Sequence, residues 1–235
     1  MKISILLPYK ENFSPIYPGA VSLFVNDTAR ISKYRKNITI FGNTNFKEIF
    51  KLNYKNIPLP KFRFQSSSKK YVNEFLKIEK FQKSDLIEIH NRPNYLKELV
   101  DNLEKRNFVI YFHNDPLTMT GSKTIEQRKY LLKECYKIIF NSNWSKKRFL
   151  EGMHNKFVNS DKLLVIFQSA AKQKVNISNK KKEITFVGKL NRSKGYDIFG
   201  KSVLKILNKH KDWKANVIGD EQRDKIFFDH KNLKN

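Results

Sequence analysis

Short apolar runs and helix-period segments alternate along this chain, and no other feature limits its possible folds so sharply. Residues 3–7 (ISILL) form an apolar run closed by Pro8. NITIFG (37–42), LIEIH (86–90), FVIYFH (108–113), KIIFNS (137–142) and LLVIFQ (163–168) follow it. Helical periods lie between them. Val21, Phe24, Val25, Thr28 and Ile31 share a face within 20–35, and Tyr71, Phe75 and Ile78 mark the next helix. Leu96, Leu99, Val100 and Leu103 mark a third, and 124–135 and 143–152 are expected to be helical too. This alternation predicts an α/β fold, a parallel sheet covered by helices on both faces. Such sheets bind ligands beyond the carboxyl ends of their strands, where strand order reverses. The loop over 8–19, His90, His113 and Asn141 all follow predicted strand ends.

The polar, basic stretch 173–183 has no period and reads as a linker between a domain over 1–172 and a second over 184–235. The second domain opens with a strand, ITFVG (184–188), and a basic turn. A helix over 196–210 follows, with Phe199, Val203, Ile206 and Leu207 facing inward, then a strand, ANVIG (215–219). The tail is expected to add one helix or loop. A β-α-β start alone leaves a strand edge unpaired and an apolar face uncovered, so 184–235 are expected to be less ordered than 1–170.

Formal charge is +25 and the pI is near 10.0. Such a balance favours an anionic partner: a phosphorylated substrate, an anionic membrane surface or nucleic acid. The 38 Lys stand against only 9 Arg, and 24 Asn against 5 Ala. Part of the charge therefore reflects composition of the AT-rich-genome type rather than a binding site. The basic residues are scattered, not interleaved with aromatics, which argues against nucleic acid. No apolar run has the length of a bilayer span, and the first one reads as a strand and not a signal peptide. A cytoplasmic location is expected, with peripheral attachment to an anionic inner-membrane surface as an addition to it. Cys135, the one cysteine, excludes an internal disulfide and reads as a buried structural thiol in YLLKECYKIIF. There is no G-x-G-x-x-G, P-loop, zinc-spaced Cys/His cluster or G-x-S-x-G elbow.

The strand-end loops carry what chemistry can be read. In PYKENFSPIYPGAV (8–21), Gly19 stands before a helix start, where backbone N–H groups and the helix dipole favour an anion; a plain turn reads equally well. His90 in IHNRP and His113 in YFHNDP follow buried strands. Each has the chemistry of a general base, a hydrogen-bond donor to substrate or a structural histidine. Asp115 is placed to orient His113, to hold a sugar hydroxyl or to start a turn. Lys189, Arg192 and Lys194 crowd the turn KLNRSKG between a strand and a helix, where fixed cations would stabilise a departing diphosphate. A solvated basic turn is the alternative.

The order of these loops resembles the retaining glycosyltransferases of family 4, which have the GT-B fold. The correspondence lies in Pro8-Tyr9…Pro18-Gly19-Ala20, the strand DLIEIH ending at His90, VIYFH ending at His113, IIFNSNWSKKRF, VGKLNRSKG and VIGDE. The resemblance implies a GT-B chain with a whole acceptor-side Rossmann-like domain and the first β-α-β part of a donor domain. It implies transfer of a sugar from a UDP- or GDP-linked donor to a lipid, lipopolysaccharide or other glycan acceptor. The chemistry would be retaining, with no metal or other cofactor. His113, with Asp115, would be catalytic. Gly19, Ala20, Lys189, Arg192, Lys194 and Gly195 would hold the donor diphosphate, and His90, Asn91 and Asn114 the acceptor. Two departures stand out: Ala20 replaces the second glycine of the usual pair, and Lys189 replaces an arginine, which removes a bidentate phosphate contact. The family's E-x7-E motif does not occur within 184–235. That makes a catalytically inactive fragment, or a module binding an acceptor or an anionic surface, the alternative to an enzyme.

Overall fold

The computed structural model describes residues 1–59, 66–154, 157, 160–169, 174, 176, 178, 180–220 and 226–234. The chain divides into two compact units, Met1–Ala170 and Ala171–Asn235. The first is built on seven parallel strands: β1 (Ile3–Leu6), β2 (Ile38–Gly42), β3 (Tyr54–Asn56), β4 (Leu86–His90), β5 (Asn107–Phe112), β6 (Lys137–Phe140) and β7 (Leu163–Val165). Their order is β3-β2-β1-β4-β5-β6-β7. The chain moves outward through β1, β2 and β3, returns, and moves the other way from β4. Strand order therefore reverses between β1 and β4, which pair in register from Ile3↔Leu86 to Leu6↔Ile89.

Most strand positions are apolar on both faces because helices cover both sides of the sheet. Ile3, Ile5 and Leu7 pack with Val21, Val25 and Ala29 of α1 (Ala20–Ile31). Leu6, Ile87, Ile89, Ile110 and Phe140 join the opposite core with α2 (Ser67–Gln82), α3 (Leu96–Asn102), α4 (Ile125–Glu134) and α5 (Asn143–Leu150). Tyr71 of α2 is fully buried, and its hydroxyl donates to Leu7 O, so the apolar ring costs no orphaned donor. Thr124 and Gln127 close a reciprocal capping box at the start of α4. Cys135 is buried, and burial pushes its thiol well above the usual range.

Several expectations need correction. The face of α1 runs through Val21, Ser22, Val25 and Ala29; Thr28 is exposed and Ile31 is 81% exposed. Thr28 instead bonds back to Phe24 O, and the helix ends at Ile31 rather than 35. β3, Tyr-Lys-Asn, has no apolar run and went unpredicted; it holds the sheet edge through its register with Ile40–Gly42.

The second unit is a three-stranded parallel sheet in the order β10-β9-β8, with β8 (Glu183–Val187), β9 (Lys214–Ile218), β10 (Leu233–Lys234) and the helix α6 (Tyr196–Lys209). Within the expected linker, 173, 175, 177 and 179 lie outside the described residues, and Glu183 already belongs to β8. Val203 and Leu207 face inward against Ala215, whereas Ile206 is 36% exposed. In the tail, 221–225 lie outside the described residues, 226–232 run as the expected loop, and only Leu233–Lys234 add a short strand; Phe228 lies where a Cβ on Gly200 would come within 1.9 Å of its ring. Gly200 thus trades helix propensity for a close approach.

Candidate functional site

The carboxyl ends of β1, β4 and β5 meet at the reversal of strand order. A cavity of about 410 Å³ opens there, lined by Pro8, Glu11, Ala20, Val21, Asn91, Arg92, His113, Asn114 and Gln168. A larger hollow, about 840 Å³, lies at the amino ends of the strands beside Lys2, Asn37 and Gln82. The strand direction favours the smaller one as the site.

The loop after β1 is pinned by Phe13, fully buried and stacked on Tyr54 with ring centroids 5.1 Å apart. It returns Glu11 to the first turn of α1, where Glu11 Oε1 accepts from Ser22 N at 3.0 Å. Gly19 sits at the N-cap with an ordinary φ of −79°, so positive φ does not explain it. Space does: a Cβ on Gly19 would fall 2.0 Å from Glu11 Oε1. The chain's own carboxylate therefore occupies the helix N-terminus that the sequence offered to a diphosphate. Gly19 and Ala20 can meet a phosphate there only after Glu11 moves.

β4 sends Ile87 and Ile89 into the core and Glu88 and His90 to the other face. His90 pairs across the sheet with Tyr111, and His113 follows two residues beyond Tyr111 on that face. The three rings stack, with His90 and His113 centroids 5.1 Å apart and Phe24 edge-on to His113 at 5.0 Å. Asn91, in the left-handed region at φ 51°, accepts from His113 N through its Oδ1. Asn141 holds His113 O from the next strand. The histidine backbone is thereby fixed on both sides.

The ring of His113 is held by two groups. His90 Nδ1 lies 2.8 Å from its Nε2, and Gln168 Nε2 lies 2.7 Å from its Nδ1. Burial, and secondarily His90, pulls the His113 pKa down to about 3. The ring is neutral at neutral pH and presents a polarising or hydrogen-bonding group rather than a cation.

The structure redistributes three expected roles. His90 is fully buried and Asn91 nearly so, which leaves them little surface for an acceptor, and both are hydrogen-bonded to His113. Asp115 does not orient His113. It accepts from Leu117 N and pairs with Arg148 Nη2 at 3.2 Å, fixing the turn after β5 to α5. Asn114 is exposed and lines the cavity. Glu11, Glu88, Arg92 and Gln168 were not singled out from sequence. Glu88 was the findable one, since period two puts it on the face of His90.

In the second unit Lys189, Arg192 and Lys194 are exposed on the turn after β8. Arg192–Lys194 is a 3-10 turn, and Gly195 at the start of α6 has φ 72°. Nothing lies within 4 Å of a Cβ there, so backbone conformation and not space requires this glycine. Gly219 is the opposite case: its Cβ would fall 1.9 Å from Gly188 O, so β9 closes tightly on the same turn. Among the described residues no group of three or more His, Cys, Asp or Glu could hold a metal ion, and no helix is long and apolar enough to cross a membrane.

No family model and no curated protein matches this sequence. Solved structures do resemble it in fold. HepE of Anabaena in complex with UDP superposes with a TM-score of 0.62 at 18% identity, over 94% of this chain and 61% of that one. The lipopolysaccharide outer core galactosyltransferase WaaB gives 0.58 at 15%, over 94% and 62%. The UDP-N-acetylglucosamine 2-epimerase described from Listeria monocytogenes gives 0.54 at 11%, over 100% and 68%. The chain thus spans about three fifths of the length of the first two. At these identities the likeness is one of fold, and that fold is α/β of the GT-B type.

Proposed function

We propose that this chain is the acceptor-side unit and a part of the donor-side unit of a glycosyltransferase that uses a nucleotide diphosphate-sugar. The observation that carries this reading is the strand-end cavity at the reversal point, with a neutral His113 held at its wall. The basic turn of the second unit supports it, because Lys189, Arg192 and Lys194 present fixed positive charge beside the start of α6. In the reaction the bond from the anomeric carbon to the diphosphate breaks, and a bond to an acceptor oxygen forms. The acceptor proton leaves with the diphosphate, whose growing charge the cations stabilise. By the resemblance to family 4, transfer is retaining and needs no metal, and the acceptor is a glycan or lipid-linked glycan. The charge of +25 suits an anionic membrane surface as the place of work.

Isothermal titration with UDP- and GDP-hexoses tests the reading. Micromolar binding that weakens in Lys189→Ala and Lys194→Ala is the expected result, and no binding of either nucleotide-sugar refutes it.

A further inference from the structure

Four side chains of the first unit form one hydrogen-bonded line. Glu88 Oε1 lies 2.6 Å from His90 Nε2. His90 Nδ1 lies 2.8 Å from His113 Nε2, and His113 Nδ1 lies 2.7 Å from Gln168 Nε2. The order of protons follows from the ends. An ionised carboxylate only accepts, so His90 carries its hydrogen on Nε2 and donates. A neutral His90 then has a bare Nδ1, which accepts, so His113 donates from Nε2. The remaining nitrogen of His113, Nδ1, holds a lone pair, and the Gln168 amide donates to it. Both ends give the same order. The reverse order would set a bare nitrogen against a carboxylate.

The surroundings keep the line in that state. His90 is fully buried and stacked on Tyr111. His113 rests on Tyr111 and Phe24. Charging either ring of such a pair would place a cation among stacked rings, away from water, so each ring carries one hydrogen. Gln168, by contrast, is exposed and leaves at little cost. The line thus runs from a partly exposed carboxylate, through a buried histidine, to a cavity wall with a displaceable donor.

We propose that Glu88 and His90 are positioning residues that hold His113 protonated on Nε2. Its Nδ1 then accepts a hydroxyl of the bound sugar or acceptor, with Gln168 filling that place in the free protein. The proposal rests on the glycosyltransferase reading only for the owner of the hydroxyl. The proton order is a property of the free chain.

The test is a long-range ¹H–¹⁵N spectrum of the imidazoles in the full ¹⁵N-labelled chain at neutral pH, with His113 assigned from His113→Gln. His113 is expected to show a bare Nδ1 and a protonated Nε2. In Glu88→Ala, with the backbone spectrum showing an intact fold, His113 should become a mixture of the two tautomers. A role confined to packing would leave the tautomer unmoved. A hydrogen on Nδ1 of His113 in the unaltered chain overturns the proposal, as does a single unchanged tautomer in Glu88→Ala. Should that variant not fold, the unaltered chain decides. Failure to bind any nucleotide-sugar would sink the functional reading and leave this result standing.

Discussion

The two units place their polar groups by different means. In the first, β2 is buried along its whole length, and His90 and His113 owe their geometry to the rings and strands packed around them. In the second, alternate residues of β8 are exposed, and Val187 is 74% exposed. Its small core is Val203, Leu207 and Ala215. The basic turn there is shaped by the left-handed Gly195, the tight approach of Gly219 to Gly188 and a hydrogen bond from Ser193 Oγ to Asn191 Oδ1. Packing buys precision for the first set, whereas exposure keeps the second set hydrated and charged.

The largest effect expected from this contrast comes from the cores. Leu207→Ala removes about 2–5 kcal/mol, a change of a size that a core so small cannot absorb, so the second unit should unfold while the first keeps its transition. Phe75→Ala costs a comparable ~3–5 kcal/mol in the first unit but should only lower its melting point. Hydrogen exchange reads both, and in the unaltered chain it should show slower exchange in β1, β2, β4 and β5 than in β8 and β9. Equal protection of the two units would break the contrast.

Lys194→Ala comes next. Loss of one charge-assisted contact of ~1.5–3 kcal/mol should weaken nucleotide-sugar binding by roughly 10- to 100-fold without moving either unfolding transition. A loss of stability instead would mean that the turn is structural.

A pH-dependent effect follows from His113. Its pKa is lowered from 6.5 to about 3, by burial first and His90 second. Above pH 6.5 the ring is neutral in folded and unfolded chains alike and contributes no difference. As the pH falls below 6.5 the unfolded chain takes up a proton that the folded one refuses, so stability drops down to about pH 3. Denaturant titrations of the first unit should show that drop, and His113→Gln should flatten it. An equal slope in the variant would place the titration elsewhere.

The smallest effect is expected from Gln168→Ala, because the side chain is exposed: stability should change by less than about 0.5 kcal/mol and the tautomer of His113 should persist. A shift of tautomer there would mean that Gln168, and not Glu88, sets the proton order.

Local pattern carried the buried strands and the helices well, because apolar runs and periods of 3.6 are printed in adjacent residues. It missed β3, whose Tyr-Lys-Asn is polar and pairs only through its neighbour's register. It set the face of α1 at Ile31 because hydrophobicity was read without the small residues Ser22 and Ala29 that pack most closely. At the site, His113 was legible as a strand-end residue, but its partner Gln168 is 55 residues away, a relation that only the folded sheet creates. Asp115, two residues from His113 in sequence, pairs with Arg148 instead. The phosphate reading of Gly19 failed to foresee Glu11, because a glycine chosen for space looks the same as one chosen for φ.

The central claim, that the chain binds a nucleotide diphosphate-sugar, has a direct test. Backbone and imidazole resonances of the full chain can be followed while a UDP- or GDP-sugar is added to saturation. The account predicts concentration-dependent shifts at Lys189–Gly195 of the second unit and, taken separately, at His113 and Asn114 of the first. Saturation that leaves both sets unmoved would contradict it.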